Sequence, residues 1–223
     1  MPGLSGKDGC RLVNPVRKVT NCGTKKNIGL FSSYKNMTGI WYESLIERDY
    51  MYLLESDPDV LSYRTQPLKI IYTWDNKPRK YTPDFLVERS SRTQIVEIKP
   101  ATQVDSDKNQ RLWRCVAPNC LERGWEFAVV TDEMIRVQPL LDNLKLLYKY
   151  VREPLSFHNY IECHQYFQRQ GTSSITKAET DLAPHQISRK TLLKLIFLGW
   201  LSTDLMQPLS GESLIRLIQV KQD

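Results

Sequence analysis

Long apolar runs are missing from this 223-residue chain. No stretch approaches the roughly 20 residues that span a bilayer. The N-terminus has no apolar core of the kind a secretory signal carries. The expectation is therefore a soluble, cytoplasmic protein with no membrane partner. Paired cysteines are missing as well. Cys10, Cys22, Cys115, Cys120 and Cys163 are odd in number and include no CxxC pair. A structural zinc site needs four ligands at recognisable spacing, so reduced, partly buried thiols are expected instead. Repeats and low-complexity tracts are absent too, which excludes a solenoid. Acids are scarce at the front of the chain. Residues 1–40 hold Lys7, Arg11, Arg17, Lys18, Lys25, Lys26 and Lys35 against Asp8 alone. The whole chain carries a formal charge of +6, a moderate bias towards polyanionic partners.

The segment 1–40 is also rich in Gly, Ser, Thr and Asn, and it reads as a basic, loop-rich arm able to lie along a phosphate backbone. Helical periodicity begins near Trp41: Tyr42, Leu45, Ile46, Tyr50, Leu53 and Leu54 recur three and four apart. Ser56-Asp57-Pro58 stops that helix. Residues 60–71 read as extended, and Asp75-Asn76-Lys77-Pro78 as a turn. Residues 84–88 and 94–99 make a hairpin around Ser90-Ser91-Arg92. A helix over 105–123 is broken or kinked at Pro118 and capped by Gly124. Residues 126–131 form a strand apolar enough to be buried on both faces. The pattern is α/β, with a mixed central sheet flanked by helices, over residues 41–137.

A boundary follows within 132–154. Residues 138–223 combine an amphipathic linker helix from Leu140 to Val151 with three small helices: Tyr160–Gln168, one opening at Ser173-Ser174-Ile175, and Ile187–Leu198. A ribbon at 200–205 and a last strand or helix at 213–220 complete a small winged-helix-like C-terminal domain. Its final helix carries Arg189, Lys190 and Lys194. These could lie in a major groove or be solvated residues of a protein-binding module.

The chemistry is concentrated in Thr82-Pro83-Asp84-Phe85-Leu86-Val87 and Val96-Glu97-Ile98-Lys99. Period-two alternation sends Glu97 and Lys99 to one face while Val96 and Ile98 face the other. Asp84, at the mouth of the preceding strand, reaches the same place. Two carboxylates suit a hard cation such as Mg2+, with Mn2+ as a substitute. The main-chain carbonyl of Ile98 offers a further oxygen. Lys99 would hold the attacking hydroxide or stabilise charge developing on phosphorus. Glu43 and Glu47 lie one helical turn apart. Glu47 is expected at the site as an extra ligand for one or two ions, and Glu43 is expected to face solvent near Arg48. The reading is a metal-dependent nuclease.

These residues resemble the PD-(D/E)xK nuclease superfamily. A closer likeness lies in Trp41-Tyr42-Glu43-Ser44-Leu45-Ile46-Glu47-Arg48-Asp49-Tyr50, Asp57-Pro58-Asp59-Val60, Gln66-Pro67-Leu68, Tyr81-Thr82-Pro83-Asp84-Phe85-Leu86-Val87, Val96-Glu97-Ile98-Lys99-Pro100 and Gly124-Trp125-Glu126-Phe127. Together they resemble the TnsA endonuclease subunit of heteromeric cut-and-paste transposases, strongly over residues 30–135 and more weakly in the tail. The resemblance implies a restriction-endonuclease-like fold and an active site of Glu47, Asp84 and Lys99. Glu97 occupies a position that varies between Glu and Gln in that family. It also implies cleavage of the 5′ strands of transposon-end DNA by a bacterial, nucleoid-associated protein. A TnsB-like DDE transposase would cut the 3′ ends, and a TnsC-like ATPase would link the pair to target selection. The short chain is similar to compact members from CRISPR-associated transposons. Two other readings stay open from the residues alone: a free-standing restriction or defence nuclease, and a non-catalytic DNA-binding scaffold.

Overall fold

The computed structural model describes residues 27–218. In chain order the strands and helices are β1 (Gly29–Ser33), β2 (Thr38–Tyr42), α1 (Leu45–Ser56), β3 (Val60–Thr65), β4 (Ile70–Trp74), β5 (Lys77–Tyr81), β6 (Phe85–Arg89), β7 (Thr93–Lys99), α2 (Asp107–Leu121), β8 (Trp125–Thr131), α3 (Asp132–Ile135), α4 (Leu140–Tyr148), α5 (Phe157–Gln170), β9 (Thr172–Ser174), α6 (Ile175–Leu182), α7 (Arg189–Phe197), β10 (Leu201–Ser202) and β11 (Leu214–Leu217).

The centre is a four-stranded mixed sheet in the order β3-β6-β7-β8. β6 pairs antiparallel with β3 and β7, and β7 runs parallel to β8 across the crossover helix α2. Alternation along the strands makes two apolar layers. Phe85, Val87, Val96 and Ile98 pack with Tyr50, Met51 and Leu54 of α1. Leu86 and Ile95 face the other way, against Val116 and Cys120 of α2 and against Ile70 and Tyr81. The expected hairpin over 84–99 is therefore present. The turn between β4 and β5 also forms, with Asp75 and Asn76 at φ +49 and +54, the left-handed pair that a two-residue hairpin loop requires.

Several expectations need correcting. The first helix begins at Leu45, capped by Ser44, whereas Trp41 and Tyr42 belong to β2. Part of the predicted arm is an ordered ribbon: β1 and β2 pair from Gly29↔Tyr42 to Ser33↔Thr38. A buried carboxylate ties that ribbon down. Glu55 accepts from the Ser33 hydroxyl, from the main-chain N–H groups of Tyr34 and Lys35 (3.2 and 3.0 Å), and from Tyr63 Oη at 2.7 Å. β8, the edge of its sheet, is only half-buried, although Phe127 packs against one apolar layer and Ala128 and Val130 against the other. Pro118 lies inside α2 without ending it, and Gly124 follows in the left-handed conformation (φ +71).

The C-terminal helices surround their own core, which includes Leu147, Phe167, Leu192, Leu195 and Ile215. The chain there runs helix, strand, helix, helix, strand, strand, with sheet order β10-β11-β9. β9, absent from the sequence reading, pairs with β11. The final segment from Leu214 is a strand. α4 packs on α1 on one side and on α7 on the other, so both halves of the chain share it. Among the described residues, no helix is long and apolar enough to cross a membrane.

Candidate active site

The hairpin end places the expected triplet together. The Asp84 main-chain carbonyl accepts from Gln66 N–H at 2.9 Å, and its carboxylate accepts from Ile98 N–H at 2.8 Å. Asp84 is thus fixed to both neighbouring segments. Glu97, 4% exposed, accepts from the Lys99 ammonium on one oxygen and from the Tyr81 hydroxyl on the other. N–H and C=O of one extended residue point the same way, so the Ile98 carbonyl lies on Asp84's side of β7. The ladder ends at Phe85↔Val96. The residue that would come opposite Ile98 is Pro83, which has no N–H to donate.

Electrostatics agree with the crowding. Desolvation pushes the Asp84 carboxyl up to about 8, and the charges of Glu97 and Glu47 add to that rise. Burial opposes the Lys99 ammonium. The charge of Glu97, then those of Asp84 and Glu47, outweighs it and holds Lys99 above its ordinary value. Glu47 is therefore electrically part of the site. It also closes the start of α1. The Glu47 N–H donates to Ser44 Oγ at 3.1 Å, and its carboxylate accepts from Ser44 Oγ and from Glu43 N–H, both at 2.9 Å. This is a relative of the capping box. Glu43 is corrected: it is 7% exposed, at the β2–α1 junction, and does not sit on a solvent-facing helix surface.

The predicted DNA contacts fare unevenly. Arg17, Lys18, Lys25 and Lys26 lie outside the described residues. Lys35 donates 2.7 Å bonds to the carbonyls of Asp57 and Val60. Lys194 is buried and donates to the Glu153 carbonyl at 2.6 Å. Both lysines serve the fold and do not face outward. Arg189 pairs with Glu179, and Lys190 is exposed 3.8 Å from Glu153. α7 itself is buried from Thr191 to Phe197, so it has no free face to lay in a groove.

Sequence reasoning missed two features. Tyr81 is the positioning group for Glu97. Its only signal was adjacency to the Thr-Pro-Asp run. The second is a basic surface beginning at the same tyrosine. Register puts Tyr81, Arg79 and Lys77 on one face of the β4–β5 ribbon, opposite Ile70, Tyr72 and Trp74. The opposing wall is α2, and the cleft between them holds about 410 Å³. Arg79, Lys108 and Arg111 line it, with the Arg111 guanidinium 5.8 Å from the Trp74 ring centre. Among the described residues none of these three cations has a carboxylate within ion-pair distance.

No curated protein matches the chain. Residues 57–132 match the TnsA-like endonuclease N-terminal family. The match runs from the end of α1 through β8 and takes in Asp84, Glu97, Ile98, Lys99 and the basic ribbon, and the mixed sheet between helices is of the restriction-endonuclease-like kind. The carboxylate and lysine cluster of Asp84, Glu97 and Lys99 thus lies inside a TnsA-like endonuclease domain.

Proposed function

We propose that the chain cleaves the 5′ strands at transposon ends, using Asp84, Glu97 and Lys99 with Glu47 beside them. The observation that carries this is the convergence of Asp84 and Glu97 with an ammonium at the end of one hairpin. The donor set fits a hard divalent cation. Burial, with the charges of Glu97 and Glu47 added to it, pushes Asp84 far above its ordinary range, and a cation between the carboxylates would relieve their mutual repulsion. Asp84 and Glu97 would hold Mg2+ or Mn2+, one ion or two, with the Ile98 carbonyl and Glu47 as further oxygens. Such an ion supplies Lewis acidity, making nearby water more acidic and offsetting charge on the phosphate.

The chain's own groups do the rest. Tyr81 and Lys99 fix the Glu97 carboxylate from two sides. Ile98 N–H fixes Asp84. The Lys99 ammonium, charged between acids, stabilises the charge that builds on phosphorus. The basic cleft along β4, β5 and α2 would track the DNA backbone into this site, with Trp74 as a stacking surface. Its place beside Tyr81 supports DNA as the substrate. The order helix, strand, helix, helix, strand, strand supports reading the C-terminal unit as winged-helix-like. With α7 enclosed, contact with a TnsB-like transposase or a TnsC-like ATPase is the better reading of that unit than groove binding.

The test is strand-specific cleavage of a labelled transposon-end duplex with Mg2+, with and without the neighbouring DDE transposase. Wild type should cut the 5′ strand when the transposase is present. Asp84→Ala should lose that cut with its fold intact, and Lys99→Ala should slow it about 10²–10³-fold. Cutting without the transposase would favour a free-standing nuclease. Unchanged cutting by Asp84→Ala would overturn the assignment.

A further inference from the structure

A second cluster of metal-ligating side chains lies far along the chain from the nuclease residues. His158 and Glu162 are one turn apart on α5, so they share a face. His185 ends the short 3-10 turn Ala183–His185 between α6 and α7. One ligand atom from each of the three lies within 4.8 Å of the others. His185 Nδ1 is 3.0 Å from one Glu162 oxygen, and His158 Nδ1 is 3.9 Å from the other. The carboxylate is one-fifth exposed, and the imidazoles are open to solvent.

The surroundings hold these groups in place. Asn159, locked with Ser156 in a capping box, donates to the His185 carbonyl at 3.4 Å. Gln186 follows in the left-handed conformation (φ +59), which fixes the exit from the turn. A cleft of about 210 Å³ opens beside Glu162 and His185. Its other carboxylate, Asp181, is already engaged by Lys177 Nζ at 2.7 Å and Tyr166 Oη at 2.8 Å, and its cation is Arg169. Cys163 is buried in the core and does not join.

We propose that His158, Glu162 and His185 form a zinc-class site that joins α5 to the α6–α7 turn. Two imidazoles and one carboxylate, with an open fourth side, are the donor set of borderline divalent ions such as Zn2+ and Co2+. Mg2+ prefers all-oxygen surroundings, so the two sites would take different ions. An ion bound only by the folded chain stabilises it. Here it would clamp the turn from which the buried helix α7 starts.

The experiment titrates the full, chelator-stripped chain with Co2+ and follows the visible absorption band of a tetrahedral complex, then displaces it with Zn2+. Wild type and Asp84→Ala should each show the band and gain melting temperature on adding Zn2+. His158→Ala and His185→Ala should lose the band, bind at least about tenfold more weakly and gain no melting temperature. Because both positions are exposed, the metal-free melting temperature should stay unchanged, and that reading checks that the variants fold. Equal binding by wild type and the His158→Ala/His185→Ala double variant would overturn the site, as would a wild type with no band.

Discussion

Single side chains decide whether this site is aimed or merely present. Tyr81 is the clearest case, because its ring belongs to the core between sheet and α2 while its hydroxyl reaches Glu97. Tyr81→Phe keeps the packing and removes one bond to a buried carboxylate. Such a loss costs about 1–3 kcal/mol. Cleavage should fall about tenfold or more, with the fold unchanged and more Mg2+ needed for half-maximal rate. An assay of rate against Mg2+ concentration checks this; an unchanged curve would mean that Lys99 alone orients Glu97. Glu47 shows why residue roles are hard to read singly. Its spacing from Ser44 is that of a helix cap and its charge is felt at Asp84. Sequence could supply either description and the fold supplies both.

At the scale of elements, what was legible followed from alternation and turn chemistry. β6 and β7 were readable because Glu97 and Lys99 break the apolar pattern on one face only. The periodicity starts α1 too early because Trp41 and Tyr42 of β2 continue its three-and-four spacing. The Ser44 cap was the better signal. Ser44→Ala should cost about 1 kcal/mol, seen as a lower melting temperature, and should weaken cleavage as Glu47 loses its anchor. β5 escaped notice because Lys77-Pro78-Arg79-Lys80 has no apolar face; its pairing with β4 and the Asp75-Asn76 turn create it. β9 has three residues and exists through β11, so nothing local could announce it. The same ribbon carries a binding prediction. Reversing charge with Arg79→Glu and Arg111→Glu should weaken duplex binding and flatten its salt dependence, by about one unit of slope per lost phosphate contact. Affinity measured across a salt series distinguishes this from a general loss of fold, which melting would show.

Across the whole molecule, the two halves are joined through α4. Asp49 of α1, buried at 3% exposure, meets Lys145 at 2.8 Å, Arg136 at 3.0 Å and Arg48 at 3.2 Å. Burial would raise its pKa. The hydrogen bond and charge of Lys145, then Arg136 and Arg48, outweigh burial and hold the carboxyl below its ordinary value. A depressed folded-state pKa gives stability that is present above the unfolded value and lost as pH falls through the folded one. Wild type should therefore lose stability below about pH 4. Asp49→Asn should be less stable at neutral pH, by about 1–3 kcal/mol, and should lack that part of the acid decline. Denaturant midpoints across pH 3–7, a range spanning the usual carboxylate values, would reveal it, and parallel curves for the two proteins would count against it.

Tyr148, the last residue of α4, sits at the seam. Its hydroxyl donates to the Ser32 carbonyl at 2.6 Å and accepts from Tyr34 N–H at 3.0 Å. Its ring meets Phe31, Tyr52 and Phe197. Asp49 grips Arg136 ahead of α4 and Lys145 in its last turn, and Tyr148 closes the same helix onto Ser32 and Tyr34, so the C-terminal half cannot swing as a loose appendage. A displacement of that half would be passed through these contacts to α1 and the β1–β2 ribbon, and the first turn of α1 carries Glu47. One short helix thus ties the far end of the molecule to the element that carries Glu47.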